Sequence, residues 1–314
     1  MELIERYRGS LLGLVVGDAL GAQVEFLRPG SFTPVSEMSG GGPHRLKPGQ
    51  WTDDTSMALC LAESLVERKT FDAKDQMQRY VRWYRSGHLS STGRCFDIGN
   101  TTKKALGLFE SAGNQFAGSV DLWSAGNGSI MRLAPVPLCY AANPVEAIEK
   151  SGESSRTTHG AIACVDACRY FGALIAGAVN GVTKSELLST RHSPVSGYWT
   201  VNPLTSEIDD VASGSFKRKS PPDIVGSGHV VKSLEAALWA FQCSDTFEQG
   251  CLLTVNLGDD ADTTAAVYGQ LAGAFYGEQG IPERWKYRLA MRDTIAGFAE
   301  KLYGVMEGGK QSAA

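Results

Sequence analysis

Neither sign of charge dominates this chain. Over 314 residues, 30 Lys and Arg stand against 34 Asp and Glu, a net charge of −4. Such a balance excludes the broad electrostatic attraction that gathers nucleic acid or an anionic membrane without specific contacts. No continuous apolar run reaches the roughly 18 residues a membrane helix needs, and no charged-then-apolar leader is read at the start. A cytoplasmic protein without a membrane partner is expected. Cysteine is also scarce, seven residues with no CxxC pair and no histidine at zinc spacing. That argues against structural zinc and a disulfide framework. The cysteines are expected to be reduced and mostly buried, with Cys164 and Cys168 one helical turn apart in a core helix. Finally, clean period-2 alternation is missing, which removes the usual signature of strands.

What is present is helical periodicity from end to end, and the expectation is an all-α fold. Helices are predicted at Ser56–Arg68, Asp75–Ser86, Thr101–Ser111, Pro144–Ser154, Gly160–Asn180, Val230–Cys243, Phe247–Leu257 and Pro282–Gly304, among others. A further helical run spans Leu3 to Leu20 and carries Gly9, Gly13, Gly17 and Gly21 every fourth residue; Gly269, Gly273 and Gly277 repeat the device. Each glycine costs a helix about 1 kcal/mol relative to alanine, so a stripe of them implies that another backbone comes close. The two glycine-striped helices are expected to pack together. The stretch 189–228 is rich in Ser, Pro and Gly and reads as a long surface loop, either a solvated excursion with no role or a border of the substrate mouth. One domain over 1–307 is expected, with a frayed tail at 308–314.

Two acidic clusters precede apolar helical runs: Thr52-Asp53-Asp54-Thr55 and Asp260-Ala261-Asp262-Thr263-Thr264. Asp and Thr at such places serve as helix caps, accepting orphan N–H bonds. A cap needs one such residue, and each cluster offers at least three. Crowded carboxylates repel unless neutralised, and hard divalent cations do so through oxygen ligands. For either cluster alone the two readings are level; the pair favours a shared metal site.

An ordered series of motifs then resembles the ADP-ribosylglycohydrolase family over nearly the whole chain. It runs from Arg8-Gly9-Ser10-Leu11-Leu12-Gly13 through Gly17-Asp18-Ala19-Leu20-Gly21 with Glu25, and Trp51-Thr52-Asp53-Asp54-Thr55-Ser56-Met57. It continues with Asp97-Ile98-Gly99-Asn100-Thr101-Thr102, Ala125-Gly126-Asn127-Gly128-Ser129-Ile130-Met131-Arg132, Thr157-Thr158-His159 and Gly258-Asp259-Asp260-Ala261-Asp262-Thr263. The resemblance implies a single compact orthogonal helical bundle. It implies two divalent cations, Mg²⁺ or Mn²⁺, held by Thr52, Asp53, Asp54, Asp260, Asp262 and Thr263. Glu25 takes the catalytic post, with Asp97 either assisting or ordering its own loop, and Asp18 buttresses the first motif. The diphosphate and distal ribose are placed near Gly99, Asn100, Thr101, Ser124, Gly126, Asn127, Gly128 and His159, with backbone N–H groups as an anion cradle. Where relatives carry a second glycine this chain has Asp259, either behind the ligands or exposed. Where some relatives carry a stacking aromatic this chain has Ser124-Ala125, which leaves adenine packing to Trp123 or the region of His229.

The implied reaction is hydrolysis of the glycosidic bond between ADP-ribose and an acceptor, an ADP-ribosylated protein side chain such as arginine in first place. The enzyme is expected to act as a monomer and to release ADP-ribose. The alternatives are hydrolysis of a small ADP-ribosyl or ribosyl metabolite, or of ADP-ribosylated nucleic acid. A non-catalytic ADP-ribose-binding relative would be marked by loss of the acidic ligands, and here all of them are present.

Overall fold

The glycine stripes bring two distant helices into backbone contact. The computed structural model describes the backbone of residues 1–313 and the side chains of 1–309. In it the helix Leu3–Gly21 runs antiparallel to the helix Ala261–Gly280, with Gly9 against Gly273, Gly13 against Gly269, and Gly17 against Ala265. A Cβ added at Gly13 would fall on the carbonyl oxygen of Gly269, so at this crossing only glycine fits. Gly277 also comes up against Gly9, and at φ 72° it kinks the second helix and lies against Met1.

Antiparallel pairing sets the end of the first helix beside the start of the other, and Gly21 packs on the backbone of Asp262. The helix Asp53–Arg68 begins at the same point. Buried Gln270 ties a third segment to this hub, donating to Ile130 O at 3.1 Å and Met131 O at 2.8 Å while Ala134 N donates back to Oε1 at 2.7 Å.

Around the central pair, helices at Ala73–Ser86, Asn100–Ala112, Pro144–Arg156, Ile162–Val179, Val230–Gln242, Phe247–Val255 and Arg292–Ala313 complete an all-α architecture. Among the described residues there is no strand, only isolated bridges such as Gly41 with Leu46 and Ser119 with His159. The 18-residue helix Ile162–Val179 is apolar enough by composition to cross a membrane, yet 83% of it is buried inside the protein. Its Cys164 and Cys168 are buried and free, as core residues.

Three expectations change. The run Pro282–Gly304 is not one helix: a short turn at Glu283–Lys286 gives way to a reversal in which Ala290 N bonds Gly49 O at 2.9 Å, and Arg292 restarts the helix. The stretch 189–228 is not a plain loop. It folds into helical turns at Tyr198–Val201, Ser206–Ala212 and Ser215–Lys217 and buries Tyr198, Trp199, Ile208, Val211, Phe216 and Ile224. The last helix carries its backbone through 308–313; the side chains of 310–314 lie outside the described residues.

Candidate active site

At the hub, the capping reading of both acidic clusters fails. Thr52 and Asp260 are the N-cap residues of their helices, and neither side chain accepts a bond from its own helix. Thr52 Oγ1 turns inward instead, 3.2 Å from Asp54 Oδ2 and 3.3 Å from Asp262 Oδ2. Thr263 Oγ1 lies 3.4 Å from the same Asp54 oxygen, so the clusters meet across more than 200 residues of sequence.

Asp18 holds this arrangement from below. Its carboxylate accepts from Thr52 N and Oγ1 at 2.9 and 3.0 Å, and from Thr55 N and Oγ1 at 3.1 and 2.6 Å. Expected to cap or buttress the first motif, Asp18 supports the second one instead. On the other side Asn127 Nδ2 donates to Asp260 Oδ2 at 2.6 Å and to Ser233 Oγ at 2.8 Å.

The floor is short of protons or cations. Asp54 Oδ1 and Asp262 Oδ1 are buried and have no hydrogen-bond partner. Burial first, and neighbouring carboxylates second, push Asp53, Asp54 and Asp262 well above the usual carboxylate range. Unpartnered buried carboxylate oxygens are expensive, and a set of hard oxygens without Cys or His suits Mg²⁺ or Mn²⁺. The residues present therefore fit the divalent cations that the resemblance implies.

Above the floor opens a cavity of about 590 Å³. Glu25, Asp53, Asp97, Gly99, Asn100, Thr101, Gly126, Asn127, Gly128, His159, Asp260, Asp262 and Thr263 all line it, so most of the expected site residues do come together. Thr52 and Asp54 lie buried beneath. Ser124 does not line the cavity; its hydroxyl donates to Asp121 O at 2.6 Å. Trp123 is 97% exposed and outside the lining as well.

The two glycine loops expected to cradle an anion differ in what their N–H groups already hold. Gly126 N and Asn127 N are already bonded to Ser124 O and Gly228 O. The helix Asn100–Ala112 starts on the cavity instead, with Gly99 as an N-cap that offers no side chain to its first N–H groups. That helix end is a ready anion site. Opposite it, burial and then Arg132 drive His159 down to about 3, so its imidazole is neutral. The ring packs so close to Gly128 that a Cβ there would come within 2.8 Å of Cε1.

Glu25 and Asp97, the residues expected to be catalytic, stand on the wall. Burial, then Asp97, Asp260 and Asp18, raises Glu25 to about 9; burial, then Asp18 and Asp260, raises Asp97 to about 7. Asp97 adopts φ 59° and Phe26, beside Glu25, φ 63°. Positive φ at a phenylalanine is uncommon and needs support. A main-chain latch gives it: Phe26 N donates to Asp259 O and Asp259 N to Leu27 O, both at 2.7 Å. The Asp259 side chain is exposed on the cavity, where its charge adds to burial in raising the Asp260 pKa, while the latch itself runs through its backbone. Between Glu25 and Asp97 sits His44, which sequence reasoning missed. A lone histidine in a Gly/Pro turn carries no periodic signal, and only proximity in space reveals it.

An all-α domain with a buried carboxylate centre at the base of a polar cavity is the class that fold and site define. Within that class the chain belongs to the ADP-ribosylglycohydrolase family, hydrolases of glycosyl bonds, whose model matches residues 1–312. It is 40% identical over 302 residues to ADP-ribosylarginine hydrolase Tri1 of Serratia proteamaculans, covering 96% of this chain and 80% of that protein. It is 33% identical to the ADP-ribosyl-[dinitrogen reductase] glycohydrolase of Rhodospirillum rubrum, covering 92% and 91%. A solved ADP-ribosylglycohydrolase-related protein complex superposes with a TM-score of 0.86 at 45% identity, covering 97% of this chain and 99% of that one.

Proposed function

We propose that this protein is a divalent-metal-dependent hydrolase that frees ADP-ribose from a modified protein side chain, with arginine as the acceptor. The observation that carries the reading is the pair of orphaned carboxylate oxygens, Asp54 Oδ1 and Asp262 Oδ1, buried without a partner where the two acidic clusters meet. Similarity to a protein named ADP-ribosylarginine hydrolase supports the choice of acceptor. The protein is read as a cytoplasmic monomer.

Two Mg²⁺ or Mn²⁺ ions at the floor would supply charge neutralisation and a grip on vicinal ribose hydroxyls. Thr52, Asp53, Asp54, Asp260, Asp262 and Thr263 would hold them, and Asn127 would keep Asp260 turned inward. The N–H groups at the start of the Asn100 helix would meet the diphosphate. Hydrolysis breaks the bond between the anomeric carbon and the acceptor nitrogen and forms one from that carbon to a water oxygen. With cations bound nearby to favour its ionised form, Glu25 would take the water proton as the bond forms, and the acceptor nitrogen ends with one proton more. An adjacent carboxylate also stabilises the oxocarbenium-like charge in between.

The test is release of ADP-ribose from a panel of linkages, arginine, serine, nucleic acid and small O-acyl adducts, with and without Mg²⁺ or Mn²⁺. Arginine-linked substrate should be cleaved fastest and only with metal. Full activity after exhaustive chelation would overturn the reading.

A further inference from the structure

Resting on the glycohydrolase reading above, we propose that His44 is a positioning residue, whose Nε2–H is shared between Glu25 and Asp97 and fixes the two carboxyl groups relative to one another. Nε2 lies 3.2 Å from Glu25 Oε2 and 3.1 Å from Asp97 Oδ1, and all three atoms fall within 4.8 Å of one another. The Glu25 side chain is 3% exposed, and both its Oε2 and His44 Nε2 are buried with no aligned hydrogen bond. One N–H that bisects two acceptors 3.1–3.2 Å away aligns with neither.

A proton there relieves the crowding of lone pairs without a cation. With Nε2 unprotonated and both acids ionised, three lone-pair-bearing atoms would face each other out of water, each costing free energy like a lost hydrogen bond. Burial lowers the His44 pKa and raises those of Glu25 and Asp97, so a neutral ring beside at least one shared proton is the favoured state. A neutral imidazole supplies a donor without adding a fixed positive charge beside a cation site. A lysine or arginine could not do that.

The fold delivers the ring rigidly. His44 sits in the reversal between Gly41 and Leu46, which bridge with N···O distances of 2.8 and 2.9 Å. Gly42, at φ 65°, packs so tightly on the carbonyl of Ala22 that no Cβ fits. The imidazole also packs on Phe96, with ring centroids 5.2 Å apart. The glycine-proline run at 40–43 thus sets the position of the histidine.

Two substitutions separate the donor from the packing. His44→Phe keeps a ring against Phe96 and removes the N–H; His44→Gln restores an amide donor at similar reach. The Phe variant should lose about tenfold in kcat, the scale of one hydrogen bond to a charged group, with KM and ADP-ribose affinity within about twofold of the parent. The Gln variant should recover most of that loss. Equal loss in both, tracking a lowered melting temperature, or no loss in Phe, would overturn the proposal. Independently of activity, ¹⁵N NMR of the histidine rings, with His44 assigned by its absence in the Gln variant, should show a neutral ring protonated on Nε2. A proton on Nδ1 alone would also overturn it. If the wild-type protein released ADP-ribose from no linkage while Nε2 still carried its proton, the activity reading would fail and the shared proton would stand.

Discussion

On the floor of the cavity, Asp54 and Asp262 hang from the first turns of two helices whose places are set by backbone packing. On its wall, Glu25, His44 and Asp97 come from three separate turns that meet through side chains and a few main-chain bonds. Both regions bury carboxylate, and they differ in what relieves it. The floor supplies Thr hydroxyls, each with one proton for several acceptors, and leaves Asp54 Oδ1 and Asp262 Oδ1 bare. The wall brings its own donor in His44. Glu25 Oε2 and His44 Nε2 also lack an aligned hydrogen bond, so the regions differ in kind: the floor's orphan atoms are carboxylate oxygens alone, whereas the wall sets a ring nitrogen that can carry a proton between two acids.

Removing a floor ligand should give the largest effect. Asp262→Ala is expected to cost about 10³-fold in ADP-ribose release, the upper range for losing one preorganised electrostatic contact, and to abolish the response to added Mg²⁺ or Mn²⁺ in titration. A variant that still binds two cations tightly would break the comparison at its stronger end.

On the wall, Glu25→Gln keeps shape and loses the proton acceptor, so kcat should fall by about 10²-fold. ADP-ribose affinity, measured by calorimetry with metal present, should hardly move. Weakened binding with a near-normal rate would make Glu25 a binding residue.

Stability against pH sharpens the same contrast. Glu25, near 9, and Asp97, near 7, sit above their unfolded values near 4, so between those limits the folded protein binds more protons than the unfolded chain. Stability of metal-free protein should therefore fall as pH rises from about 6.5 to about 9. Below about 6.5 the trend is opposed by His159, neutral when folded with a pKa near 3, whose contribution is lost as pH falls. Saturating Mg²⁺ should flatten the alkaline slope, since neutralising cations remove its cause. Denaturant melts at pH 6.5 and 8.5, with and without metal, measure it, and an identical slope in both would contradict the assignment of the floor.

The smallest effect concerns the buttress. Thr55→Val removes the 2.6 Å bond to Asp18 but leaves that carboxylate the donors of Thr52 and the Thr55 backbone. A stability loss of about 1–2 kcal/mol in urea melts is expected, with activity within a few-fold of the parent.

The same division governs what could be read from the chain itself. The floor was legible because helices repeat: glycines every fourth residue announce a close crossing, and acidic clusters at two helix starts point to one site. The capping reading could be set aside only once the Thr52 and Asp260 side chains were seen to leave the first backbone N–H groups of their own helices uncapped. The wall was half legible. Glu25 and Asp97 lay in recognisable motifs, whereas His44 stands in a turn without period. The latch through Phe26 and Asp259 is main-chain, and so leaves no trace in residue type. The helical turns within 189–228 were missed because each is too short to show a repeat.

The crossing of the two glycine-striped helices also fixes when in the protein's life the site exists. Gly9 lies against Gly273 and Gly17 against Ala265, so the partners of the first helix are among the later residues to be made. While the chain is being synthesised, Asp53 and Asp54 emerge long before Asp260 and Asp262, and the early half offers a cation only half its ligands. A ribosome-bound chain that has not reached about residue 280 has no floor, and a nascent molecule is silent until the late helix docks. Catalytic competence therefore doubles as a report that translation has run past the second acidic cluster.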